Sequence, residues 1–283
     1  MVWGRGGRLV PVVIVLAMVG AACTDGDDGD ATATTRPSST STTVPVDLSA
    51  HVVGETVVSP AYRQGIARVD GGWIFSLNNA LFRTDDELVE TATVTPAIPP
   101  EYAQRGFNHV GDIDVVDDVI YAPLEQPDYS RGTQVMAWYD AKTMEFQDAV
   151  DVAQQQNSFV TVDPDTGIAY SMDEFGGQAL LRYDTRREWR RLAPLAMSAN
   201  VDRVQGGDVV DGAVWLSTDD ATDGVYRVDL RTGRVMSLGS IGRVDGEGEG
   251  IDATPLPRGD LHVLTADVAI VPVRLVDLRL EPR

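Results

Sequence analysis

The chain is poor in the residues that most often announce a mechanism. Its 283 residues include one cysteine and three histidines, so it can form no intramolecular disulfide and has no C-x-x-C pair. It has no G-x-S-x-G elbow, H-E-x-x-H pair, G-x-x-x-x-G-K-[ST] loop or dinucleotide fingerprint, which removes the commonest hydrolase, metalloprotease and nucleotide-binding signatures. "GEGEG" (246–250) is rich in glycine but falls between strand patterns rather than before a helix, so it makes no phosphate cradle. No segment sustains a helical period. Lys142 is the single lysine, and the 23 basic residues face 43 acidic ones, for a net charge of −20. A field of that sign repels nucleic-acid backbones and anionic headgroups. It favours cations, or basic and neutral ligands.

Long apolar runs are also scarce. The one clear case, "LVPVVIVLAMVGAA" (9–22), follows Arg5 and Arg8 and ends in small residues. It falls short of the ~20 residues of a comfortable span and has the pattern of a secretory signal peptide over residues 1–22. Cys23 comes directly after "VGAA". At these residues the sequence resembles a bacterial lipoprotein, whose lipobox ends in a cysteine that is lipidated and becomes the mature N-terminus. The resemblance implies a lipid anchor on Cys23 and a location on the extracytoplasmic face of a membrane. Cleavage after Ala22 without lipidation gives a secreted protein instead. Residues 24–46, "TDGDDGDATATTRPSSTSTTVPV", hold almost nothing apolar and read as a flexible tether.

Residues 47–283 contain short alternating strand patterns and polar corners. "VYRVDLRTGRV" (225–235) alternates apolar and polar residues on both sides of a Thr-Gly corner, a hairpin signal. It has relatives in "MAWYDAKTMEF", "LLRYDTRREWRRL" and "VRLVDLRLEPR". Their corner aspartates, Asp140, Asp184, Asp229 and Asp277, lie about 45 residues apart, the period of a propeller blade. Upstream of each corner is a second segment: "WIFSLNN", "VIYAPLE", "IAYSMDE", "VWLSTDD" and "HVLTAD". Before it lies a third, among them "QGIARVDGG", "GDIDVVDD" and "GGDVVDGA". The unit predicts an all-β fold, a β-propeller of five four-stranded blades between Gln64 and Arg283. The last copy lacks a fourth strand, and "AHVVGETVVS" (50–59) is left over. That N-terminal strand is expected to complete the final blade and close the ring. The corner aspartates are expected to cap their turns, and Trp73, Trp138, Trp189 and Trp215 to pack between blades.

In this strand order the start of each first strand and the end of each second strand open on one face. Asn78, Glu125, Asp173, Asp219 and Asp267 end the second strands. Gln64, Asp112, Asp114, Asn157, Asp208 and Glu249 lie near the starts of the first. Gathered at one mouth, such oxygens suit a hard cation. The expectation is a Ca²⁺ ion held by Asp112, Asn157, Asp208 and Glu249, the alternative being acids that cap turns and face water. At "EGEGID", "GDID" and "QGIA" the chain resembles the calcium-dependent propellers of the gluconolactonase and lactonase/arylesterase type. Two functions remain open. One is a membrane-tethered propeller whose mouth binds a cation, a small ligand or an envelope protein without turnover. The other, implied by the resemblance, is a calcium-dependent hydrolase of lactones or aryl esters. There His109, in "NHVGDID", serves as general base.

Overall fold

A computed structural model describes residues 47–173, 177–242, 246–267 and 272–283. The expected signal peptide, Cys23 and the tether lie outside the described residues. The first strand, β1 (Leu48–Val58), belongs to the last blade. Blade I is β2 (Gly65–Val69), β3 (Gly72–Leu77), β4 (Ala80–Asp85) and β5 (Glu90–Val94). A five-residue helix, α1 (Pro100–Gln104), leads into blade II. There the inner position is split between β6 (His109–Val110) and β7 (Asp114–Val116), and β8 (Val119–Glu125), β9 (Gln134–Asp140) and β10 (Phe146–Val152) follow. Blade III is β11 (Thr161–Asp163), β12 (Ile168–Ser171) and β13 (Gly177–Asp184), with β14 (Arg190–Arg191) and β15 (Leu195–Val201) sharing its outer position. Blade IV is β16 (Val204–Val210), β17 (Ala213–Thr218), β18 (Gly224–Asp229) and β19 (Val235–Ser240). Blade V is β20 (Gly246–Asp252), β21 (Leu261–Asp267), β22 (Val273–Pro282) and, outermost, β1. The protein is a five-bladed β-propeller, closed by its N-terminal strand as the sequence predicts.

The ring holds because each blade is apolar on both faces. In β3, Trp73 and Phe75 pack toward Leu264 and Leu275 of blade V, while Ile74 packs toward Ile113 and Ile120 of blade II. Successive side chains of a strand point to opposite faces, so a central strand with two neighbours reads as an unbroken apolar run. Five buried clusters result, one at each junction between adjacent blades. The tryptophans behave as expected. Trp138 of blade II stacks on Trp189 of blade III with centroids 5.9 Å apart, and Trp215 joins the cluster between blades IV and V.

The second strands add a polar hook. Ser76 Oγ donates to Gly111 O of the next blade at 2.7 Å, and Ser217 Oγ donates to Glu249 O in the same sense. The small residue that recurs in "WIFS" and "VWLS" is therefore a donor to the neighbouring blade. The corner aspartates divide. Asp140 accepts the N–H groups of Lys142 and Thr143 at 2.9 and 2.8 Å, and Asp229 accepts that of Thr232 at 2.9 Å. Asp277 is turned inward instead, against His262 Nδ1 at 2.7 Å and Arg258 Nε at 2.8 and 2.9 Å.

Candidate functional site

The inner strands converge until backbone touches backbone. A Cβ on Gly65 would stand 2.7 Å from the Asp112 Cα, and one on Gly206 would stand 2.8 Å from Asp112 Oδ2. Only glycine permits this approach. Asp112 fills the space that the glycines leave on the axis. Its Oδ1 accepts the N–H groups of Ile66 and Ile113 at 3.0 and 3.1 Å, and its Oδ2 accepts those of Gly207 and Ile251 at 3.0 and 3.2 Å. Its own N–H donates to Ser158 O at 2.7 Å, and its carbonyl accepts from Val160. One residue of blade II thus bonds to blades I, III, IV and V. Burial pushes its carboxyl well above the ordinary aspartate range, and the N–H groups of Ile66, Gly207 and Ile251 pull it back.

Below this plug, away from the mouth, runs a second layer. Asp114 Oδ2 accepts Val162 N–H at 2.7 Å, Thr161 Oγ1 accepts Val209 N–H at 2.8 Å, Asp208 Oδ2 accepts Ala253 N–H at 2.7 Å, and Asp252 Oδ2 accepts Arg68 N–H at 2.6 Å. Each side chain reaches the same backbone position in the next blade. Ala67 occupies the equivalent place in blade I and has no oxygen to offer.

Above the plug lies a cavity of ≈ 380 Å³. Four carboxylates line it, those of Glu125, Asp219, Glu247 and Glu249, together with the guanidinium of Arg203. Arg203 is paired with Asp219, and Glu247 lies 3.6 Å from Arg63. Glu249 is 5 % exposed, and its Oε1 accepts from Gln64 Nε2 at 3.4 Å. Burial pushes its carboxyl well above the ordinary glutamate range, and the nearby Glu247 adds to the rise. His109 lines the same cavity, and burial lowers its pKa, so the ring is neutral at pH 7.

The structure separates the four expected calcium ligands. Glu249 lines the mouth, Asp112 is the axial plug, and Asp208 lies in the layer below it. Asn157 is buried, with its Nδ2 on Val135 O at 2.8 Å and its Oδ1 facing Ser171 Oγ at 3.3 Å. The oxygens of Asp112 are taken up by N–H donors, which is the work of a structural anchor. Among the described residues, no group of three or more His, Cys, Asp or Glu side chains is arranged to hold a metal ion. Of the residues ending the second strands, Glu125 and Asp219 do reach the mouth. Asp173 instead accepts the N–H groups of Gln155 and Gln156, both at 3.0 Å, and the Asp267 side chain lies outside the described residues. Sequence reasoning did not single out Arg203 and Glu247; the alternation in "GEGEG", which sends Glu247 and Glu249 to one side, was the available signal for the latter.

Fold and site together define a class: a five-bladed propeller with a plugged axis and an acidic pocket at one mouth. No family model matches the sequence, and no curated protein is similar to it. Among solved structures, the glutaminyl cyclase of Myxococcus xanthus is similar with a TM-score of 0.60 at 12% identity, over 84% of this chain and 100% of that one. Hydrazine synthase of Kuenenia stuttgartiensis gives 0.44 at 13% identity, over 79% and 68% of the two chains. The Dos1 propeller gives 0.42 at 16%, over 77% and 59%. The likeness is one of fold.

Proposed function

We propose that this chain is an extracytoplasmic propeller, held at a membrane through lipidated Cys23, whose mouth binds a small ligand carrying a cationic amine, without turnover. The observation that supports it most directly is the meeting of four acidic side chains with one guanidinium in a single cavity. A low-dielectric pocket with an excess of acid recognises an ammonium group by charge-assisted hydrogen bonds. The test is calorimetric titration with putrescine, and separately with calcium chloride, on the wild type and Glu249→Gln. Saturable amine binding that weakens roughly tenfold in the variant, ~1.4 kcal/mol, is the expected result. Binding of calcium alone would restore the metal reading, and heat from neither would remove both.

A second reading rests on His109. Its ring has no protein partner among the described residues, and it shares the cavity with the buried carboxyl of Glu249. An imidazole and a carboxyl whose affinity for a proton is raised by burial form a base and an acid across one substrate. His109 would take the proton of the attacking nucleophile, and Glu249 would supply one to the leaving group. Lactones and aryl esters are candidate substrates. So is a peptide with N-terminal glutamine, by analogy with the Myxococcus glutaminyl cyclase. Turnover of any of the three by the wild type, lost in His109→Ala, would establish an enzyme. The calcium requirement is read by repeating the assay with a chelator.

A further inference from the structure

We propose that the face opposite the mouth carries a second ligand site, a cavity between blades I and V that takes a small carboxylate with an apolar body and holds the carboxylate between Arg258 and Arg68.

The cavity encloses ≈ 260 Å³ and is lined by Arg68, Trp73, Asp86, Leu256, Pro257 and Arg258. These residues come from the end of β2, the start of β3, the corner after β4 and the turn between β20 and β21. All lie at the end of the blades remote from the mouth. In a molecule of net charge −20, this cavity sets two guanidinium groups against one carboxylate.

Both guanidinium groups are held from behind by one buried cluster. Asp277, at the point of the repeat where Asp140 and Asp229 cap their turns, is turned to Arg258 instead. Arg258 Nε reaches its two oxygens at 2.8 and 2.9 Å, and His262 Nδ1 lies 2.7 Å from it on the buried side. Arg258 Nη2 donates to Thr56 Oγ1 at 3.1 Å. The backbone there is a tight turn, closed by Leu256 N–H on Gly259 O at 2.8 Å and Gly259 N–H on Leu256 O at 3.1 Å. Arg258 Nη1 has no protein partner among the described residues. The same His262 meets Trp73 edge-on, with centroids 5.2 Å apart, and the Arg68 guanidinium lies 5.0 Å from the centre of that indole.

A guanidinium fork recognises a carboxylate through parallel charge-assisted hydrogen bonds. One that is already ordered loses less freedom when the ligand arrives. Leu256, Pro257 and Trp73 supply apolar surface for the rest of the molecule. The volume falls just under the ~300–1,000 Å³ of drug-sized sites, so the body is small, of the order of one aromatic ring. Asp86 is the resident competitor. Its side chain is 54% exposed, and its Oδ1 stands 2.6 Å from Arg68 Nη2. The incoming carboxylate takes that place on Arg68, and Asp86 turns to solvent.

The test is calorimetric titration of the full chain with sodium benzoate at fixed ionic strength. Saturable binding of one benzoate, weakened at least tenfold in Arg258→Gln, is the expected result. Inorganic phosphate, which has no apolar body, should bind at least tenfold more weakly than benzoate. No saturable benzoate binding, phosphate binding of equal strength, or benzoate binding unchanged in Arg258→Gln would each overturn the proposal. Should Arg258→Gln fail to fold because Asp277 is left unpaired, Asp86→Asn at its exposed position decides. Removing the competitor should tighten benzoate binding about threefold, and unchanged or weaker binding would sink the idea.

Discussion

Asp112 has the most partners of any side chain on the axis. Its four backbone donors come from three blades besides its own, and Ile66, Gly207 and Ile251 lie 46, 95 and 139 residues away in the chain. Replacing it with asparagine would turn an amide nitrogen toward two of those N–H groups. A buried donor left without an acceptor costs roughly 1–3 kcal/mol, so Asp112→Asn should lose about 2–5 kcal/mol in urea unfolding at pH 7. Gly206→Ala should be comparably harmful, because its Cβ would meet Asp112 Oδ2 at 2.8 Å and Ser217 Oγ at 2.6 Å. These roles were hidden in the sequence, where Asp112 is one more acid near the start of a strand. The visible trace is the glycine at the same point of three copies, Gly65, Gly206 and Gly250, where blade II has Asp112; two of the three lie in "QGIA" and "EGEGID", stretches that resemble metal-binding starts. The acid is explained by backbone donors that only the closed ring brings near. A carboxylate satisfied by N–H groups and one that awaits a cation look alike in a sequence.

At the scale of the strand, the outermost position of blade V decides whether the ring closes. β1 pairs antiparallel with β22 from Leu48↔Pro282 to Val58↔Val273, with one bulge between Val52 and Gly54. Removing residues 47–58 strips β22 of that partner and exposes a long edge, the kind of surface that recruits other chains. The truncated protein should elute as aggregates in size-exclusion chromatography, or melt well below the full chain. The hooks on the second strands are smaller contributions of the same type. Ser217→Ala should cost about 1 kcal/mol, measured in the same unfolding assay. The strands and their closure were legible because alternation, corner chemistry and a period near 45 residues are local properties. The splitting of the inner position of blade II into β6 and β7, with Asp112 bridged to Phe159 between them, was not. It follows from contacts between blades, which no local pattern records.

The whole molecule has a large excess of negative charge, −20 over 283 residues, and part of it converges on the mouth. Two effects of salt should therefore have opposite signs. Raising sodium chloride from 10 to about 150 mM shortens the screening length from roughly 30 to 8 Å. It should raise the melting temperature by easing self-repulsion, and it should weaken putrescine binding at the mouth. Differential scanning and titration calorimetry on one preparation would read both. If both improve, the carboxylates of the mouth do not attract the amine. The location of the mouth, at the ends of second strands, was legible in the sequence. The division of the acids between plug, lower layer and pocket was not, because it depends on how far each side chain stands along the axis.

Arg283 N–H donates to Asp47 O at 2.8 Å, so the two extremes of the propeller are knotted at one seam. The earliest strand to be synthesised has no place to go until the latest has been made. The propeller cannot lock into its final form until its last strand has been made. Refolding kinetics should show correspondingly late protection of the β1 amides from hydrogen exchange.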